Sequence, residues 1–169
     1  MFGLVLTFLK PFNTALVLWL IWTDQKLAGA ASIAFLMLCD IYDGYFFRLS
    51  PLASNKKLLW FRRVFDVAGD RVAIETVLII LILRFNFPLY LYGVEGVREI
   101  FLLGIWIYGY RVKRPLREPN LLSRISTFSV GLMAMAWLTI PNWAPWLLIP
   151  IVGFGIPGAM QYYRTITRA

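Results

Sequence analysis

At 169 residues the chain has the length of one domain, but 60% of it is hydrophobic, 17% aromatic and only 15% charged, with a mean hydropathy of +0.69. That much apolar surface exceeds what a soluble core of this size buries, which points to a lipid bilayer. A single cysteine, Cys39, and the absence of histidine exclude an internal disulfide, a Cys/His zinc site and any histidine acid or base, so chemistry would have to rest on carboxylates.

The apolar stretches recur along the whole sequence with short polar breaks, a pattern unlike a cleaved leader on a soluble protein. In chain order they predict six membrane-spanning helices in one all-α transmembrane domain, residues 1–169. The first covers residues 11–22, with residues 1–10 either continuing it or forming a short interfacial segment. The second covers 27–47, the third 66–83 and the fourth 88–110. The fifth covers 121–140 and the sixth 146–163. Asn86-Phe87-Pro88 and Pro141-Asn142-Trp143-Ala144-Pro145 read as tight hairpins, because proline lacks a donor and restricts the residue before it. Trp137, Trp143 and Trp146 flank the second of these and read as an interfacial aromatic belt.

A net charge of +8 would suit nucleic acid, yet the basic residues sit between apolar stretches, where they orient a membrane protein and attract anionic lipid. Lys10, the segment with Arg48, Lys56, Lys57, Arg62 and Arg63, the segment with Arg111, Lys113, Arg114 and Arg117, and the tail with Arg164 and Arg168 fall on one side. Lys26 and Arg84 fall on the other. The positive-inside bias therefore predicts an integral protein of the cytoplasmic (inner) membrane with both termini in the cytoplasm and no nucleic-acid partner.

Four aspartates then stand out. Asp40 and Asp43 are three residues apart on the second helix, and Asp66 and Asp70 four apart on the third, so each pair projects from one face. Antiparallel neighbours bring both pairs to the cytoplasmic ends. Four converging carboxylates repel one another unless cations intervene, and hard oxygen ligands suit Mg2+ or Mn2+. A plainer reading makes them capping acids paired with Arg48, Arg63 or Arg71. For Asp66 alone, in the first turn of its predicted helix, that reading is the better one.

The stretch Asp40-Ile-Tyr-Asp43-Gly44-Tyr-Phe-Phe47-Arg48, followed by Arg62-Arg-Val-Phe-Asp66-Val-Ala-Gly-Asp70, resembles the motif D-x-x-D-G-x-x-A-R…G-x-x-x-D-x-x-x-D of the CDP-alcohol phosphotransferase family. Leu6-Thr7-Phe8-Leu9-Lys10 is similar to that family's LTxxR opening. Arg98-Glu99-Ile100 resembles the REI of bacterial phosphatidylglycerophosphate synthases. Ser123-Arg124-Ile125-Ser126-Thr127 sits where those enzymes carry GKxKT, and Met160-Gln161-Tyr162 is similar to part of their last helix. The resemblance implies an enzyme that transfers a phosphatidyl group from CDP-diacylglycerol to a polar alcohol, with glycerol 3-phosphate the first choice, and releases CMP. Inositol phosphate or phosphatidylglycerol are alternative acceptors.

It further implies that Asp40, Asp43, Asp66 and Asp70 hold Mg2+ or Mn2+, that Asp70 is the general base and that relatives are commonly homodimers. Gly44 would admit the nucleotide and Arg48 would pair with phosphate or with the acidic cluster, while Arg62, an extra cation where the family has glycine, could contact the diphosphate. Arg98, Arg124, Ser126 and Thr127 would contact the acceptor. Three positions depart from the motif: Phe47 replaces a small residue, Arg62 replaces glycine, and the interval between Arg48 and Arg62 is longer. They leave open a rival reading, a non-catalytic lipid- or nucleotide-binding relative with an altered pocket. Mutual neutralisation of Glu95, Arg98 and Glu99 is an equally good account of that cluster, and Glu75 reads as a partner for Arg71.

Overall fold

The computed structural model describes residues 2–48, 56–112 and 120–167, with the side chains of 2–8, 43–44, 46–48, 56–68, 106, 110 and 166 outside the described set. Every regular element among these residues is helical: α1 (Phe2–Trp22), α2 (Lys26–Arg48), α3 (Lys56–Phe85), α4 (Leu89–Arg111), α5 (Leu121–Thr139), a 3-10 helix (Pro141–Leu147) and α6 (Leu148–Thr167). The all-α expectation is met, and α2, α4 and α5 lie within a residue or two of the predicted stretches.

The breaks are set by local chemistry. Asp24 and Asn86 close α1 and α3 with φ of 63° and 50°, a left-handed backbone that Asp and Asn tolerate better than most residues. Asn120 caps α5, its side chain accepting from the Ser123 backbone N–H at 2.8 Å.

Three boundaries differ from the sequence expectation. Residues 2–10 are not a separate segment; α1 runs unbroken through Pro11, whose missing donor costs one backbone bond in a 21-residue helix. The third helix starts at Lys56, because no glycine or proline interrupts the run from Lys56 to Asp66. Asp66 is therefore an interior residue of α3 rather than a first-turn acid. Finally, Pro141 to Pro145 do not form a hairpin turn. The chain reverses at Ile140 (φ −138°, ψ 75°), and the prolines lie within a 3-10 helix that leads straight into α6. Pro141 sits at its start, where a missing N–H is harmless.

Consecutive helices run antiparallel, so the ends of α1, α3 and α5 gather with the start of α2 at one end of the bundle. There Arg84 Nη2 of α3 donates to the Trp22 carbonyl of α1 at 2.9 Å. Beside it Lys26 of α2 lies 4.8 Å from the Phe85 ring centroid. Trp137 Nε1 of α5 donates to the Phe85 carbonyl at 3.1 Å and its ring meets the edge of Phe87. Trp137 is thus an internal brace, unlike Trp143 and Trp146, each 67% exposed. The apolar core, with Ile21, Leu78, Leu81, Phe87, Leu91 and Met133 almost fully buried, fills this half. The other half is polar inside. α4 packs chiefly on α6, through Ile105, Ala159, Leu102 and Tyr162.

The outside is apolar too: Phe12, Leu27, Val97, Ile100, Leu121 and Trp143 are all well exposed. Leu121–Thr139 and Pro141–Thr165 are long and apolar enough to cross a membrane, and Leu9–Trp22 is a shorter apolar stretch. Among the described residues, these are the two of the six predicted spans that meet the test of length and composition. The charges within α3 and α4 dilute their apolar content.

Candidate active site

Lys10 carries a charge on a helix that is otherwise almost wholly apolar, and an ammonium leaves water only when anions surround it. It is 7% exposed. Its Nζ donates to Asp40 Oδ1 of α2 at 2.6 Å and to Asp70 Oδ1 of α3 at 3.1 Å. Three helices therefore meet at one cation, and the last acid of the sequence motif stands beside the first. The Lys10 carbonyl accepts from Thr14 Oγ1 at 2.9 Å, which ties the lysine's backbone to the next turn of α1.

Asp43, Gly44 and Arg48 follow Asp40 on α2, and Arg62 and Asp66 precede Asp70 on α3. The side chains of these five lie outside the described residues, as does that of Phe47. Helical spacing nonetheless puts Asp43 one turn from Asp40, and Asp66 one turn from Asp70. Among the described residues no group of three or more Asp, Glu, Cys or His side chains could hold a metal ion. Asp40 and Asp70 are two carboxylates from different helices directed at one positive centre, a donor chemistry that fits a hard divalent cation.

Next to Asp70 the chain continues into a second polar cluster. Arg71 of α3 pairs with Glu99 of α4. Arg98, one residue earlier on α4, donates through Nη2 to Glu95 Oε1 at 2.6 Å and to Glu99, and through Nη1 to Ser126 of α5. Ser126 in turn donates to the Ile151 carbonyl of α6 at 2.8 Å. Glu95 is fully buried and Arg98 nearly so. The cluster thus joins α3, α4, α5 and α6 around one guanidinium whose planar fork suits several acceptors at once. Among the described residues, Arg98 Nε and Glu95 Oε2 are buried and find no hydrogen-bond partner. Arg71 was expected to pair with Glu75; its ion pair instead crosses from α3 to Glu99 of α4.

The four candidate acceptor residues do not form one group. Arg98 and Ser126 touch each other inside the bundle, whereas Arg124 is exposed and Thr127 half-buried on α5. The start of α5 is occupied by its own cap: Asn120 accepts from Ser123 N–H and donates through Nδ2 to the Gly158 carbonyl at 2.8 Å.

Sequence reading missed three contributors. Lys10 appeared only as an orientation signal and part of an opening motif, although a lone lysine amid apolar residues is itself a sign of buried ion pairing. Gly155 and Gly158 of α6 passed unremarked. A Cβ at Gly155 would stand 2.9 Å from Ser126 Oγ and 3.0 Å from Arg98 Cδ, and one at Gly158 would stand 2.8 Å from the Ser123 backbone nitrogen. Both glycines let α6 approach α5 closely.

Comparison with curated proteins and with solved structures returns no match. Residues 3–156 match the family model described as CDP-alcohol phosphatidyltransferase. That stretch takes in Lys10, Asp40, Asp70 and the whole Arg98 cluster, and it covers well over half of the sequence. By this match, the chain belongs to the CDP-alcohol phosphatidyltransferase family.

Proposed function

We propose that the chain is a six-span enzyme of the cytoplasmic membrane that moves a phosphatidyl group from CDP-diacylglycerol to a polar alcohol and releases CMP. One observation carries this reading beyond family membership: Asp40 and Asp70, from separate helices, meet at a single cationic centre. The apolar exterior and the basic residues at that same end support a bilayer placement with the site and both termini facing the cytoplasm. There a lipid donor keeps its acyl chains in the membrane while its diphosphate meets a soluble acceptor.

Asp40, Asp43, Asp66 and Asp70 would hold Mg2+ or Mn2+, which when bound supplies charge neutralisation for the diphosphate and the departing CMP. The chain's own residues do the rest. Asp70 accepts the proton of the acceptor hydroxyl as its oxygen attacks the phosphorus of the phosphatidyl group. Gly44 leaves room for the nucleotide, and Arg48 and Arg62 offer cations to the diphosphate.

For the acceptor, the resemblance at Arg98-Glu99-Ile100 favours glycerol 3-phosphate. Arg98 is already shared between two glutamates, and among the described residues its Nε and Glu95 Oε2 find no partner, so its remaining capacity suits a hydroxyl better than a phosphate. Inositol phosphate and phosphatidylglycerol belong in the same panel.

The test is CMP release by purified protein in detergent, supplied with CDP-diacylglycerol, Mg2+ or Mn2+ and each acceptor in turn. Metal-dependent release that Asp70→Asn abolishes supports the proposal. Absence of release with every acceptor would overturn it in favour of a binding relative.

A further inference from the structure

We propose that Lys10 is a resident cation of the aspartate cluster: it draws Asp40 and Asp70 together, competes with divalent metal for their oxygens, and swings away when metal binds. The inference rests on the metal-binding reading above and adds to it a positioning residue that the aspartate motif does not contain.

The geometry carries the argument. Lys10 Nζ is within hydrogen-bond distance of one oxygen on each of two carboxylates, on α2 and α3. A divalent ion at the same oxygens would be bound at a distance of roughly 2 Å, and a neighbouring ammonium would repel it. The two cations therefore exclude each other from Asp40 and Asp70.

Lys10 has a route out. Its backbone is held in α1, where Thr14 Oγ1 bonds its carbonyl. Its four-carbon stem has rotatable bonds throughout, so the charge can move without moving the helix. Without a resident cation, Asp40 and Asp70 would repel each other and splay α2 from α3. With it, the cluster keeps its spacing and metal exchanges against a competitor already in place. Metal affinity is then set by the lysine as much as by the acids.

Two measurements on the full-length protein in detergent test this. Manganese binding is read from the loss of the free-ion electron paramagnetic resonance signal for wild type, Lys10→Met and Asp40→Asn. The expected result is about tenfold tighter binding in Lys10→Met, the equivalent of ~1.4 kcal/mol, and weaker binding in Asp40→Asn. Reductive methylation of wild type with and without saturating Mg2+, mapped by mass spectrometry, reads the exposure of the lysine directly. Metal should raise Lys10 labelling several-fold and leave Lys26 unchanged.

Unchanged or weaker manganese affinity in Lys10→Met overturns the proposal, as does Lys10 labelling that metal leaves unchanged or lowers. If Lys10→Met does not fold, the labelling of wild type decides alone. Manganese binding that depends on Asp40 but is indifferent to Lys10 sinks this proposal and spares the metal site. No manganese binding by wild type sinks both.

Discussion

Gly155 of α6 lies against Arg98 of α4 so closely that a Cβ on the glycine would stand 3.0 Å from Arg98 Cδ, with Ser126 Oγ at 2.9 Å on its other side. Neither neighbour is free to yield. Arg98 is held by two glutamates, and Ser126 is bonded on both sides. Gly155→Ala is therefore expected to destabilise the bundle by about 1–3 kcal/mol, the usual cost of overpacking. Gly153, two residues away, meets nothing within 4 Å, so Gly153→Ala should be neutral or add up to ~1 kcal/mol through helix propensity. Unfolding titrations of the two variants in one detergent mixture give the comparison, and equal effects would show that the contact does not matter.

The Arg98 cluster makes a prediction about non-additivity. Arg98→Met leaves fully buried Glu95 without its cation, which for a buried pair costs on the order of 3–5 kcal/mol. Glu95→Gln added to that background removes the orphaned charge, so the double variant should be more stable than Arg98→Met alone. A double-mutant cycle by unfolding titration measures the coupling, expected at ~0.5–3 kcal/mol. A coupling of zero would mean that the two side chains do not share one buried pair.

Asn120 performs two jobs with one amide. Its oxygen caps α5 and its nitrogen bonds the Gly158 carbonyl of α6. Asn120→Ser keeps a capping oxygen and loses the link to α6; Asn120→Ala loses both. Stability is expected to fall in the order wild type, Ser, Ala, with roughly 1–2 kcal/mol between the first and the last. Thermal midpoints in detergent establish the order.

For the reaction itself, Asp70→Asn keeps the shape of the side chain and removes its basicity. CMP release is expected to fall by roughly 10²- to 10⁴-fold, the range for loss of a general acid or base. Gly153→Ala, whose added methyl meets nothing within 4 Å among the described residues, serves as the control that the assay reads chemistry and not general disturbance.

The apolar content, the number of helices and most of their limits could be read from the sequence, because they depend on residues near one another in the chain. The run of helix formers between Lys56 and Asp66 could also have been read and was overruled by its charge: a polar stretch looked like a loop, although nothing in it breaks a helix. The 3-10 helix at Pro141 reads as a turn for the converse reason, since proline is costly in a helix interior but is at home in a helix's first residues.

The sequence by itself determined that the acids come in two pairs, each on one helical face, since a spacing of three or four residues has that consequence wherever the helix goes. Only the tertiary structure decided which partners they meet. Lys10 and Asp70 are 60 residues apart, and Arg98 reaches Ser126 across 28; no local propensity encodes such distances. Buried charges must find counter-charges, and which ones they find depends on how α1 to α6 pack. That packing depends on close approaches such as Gly155 on Arg98, whose significance appears only when two helices are side by side.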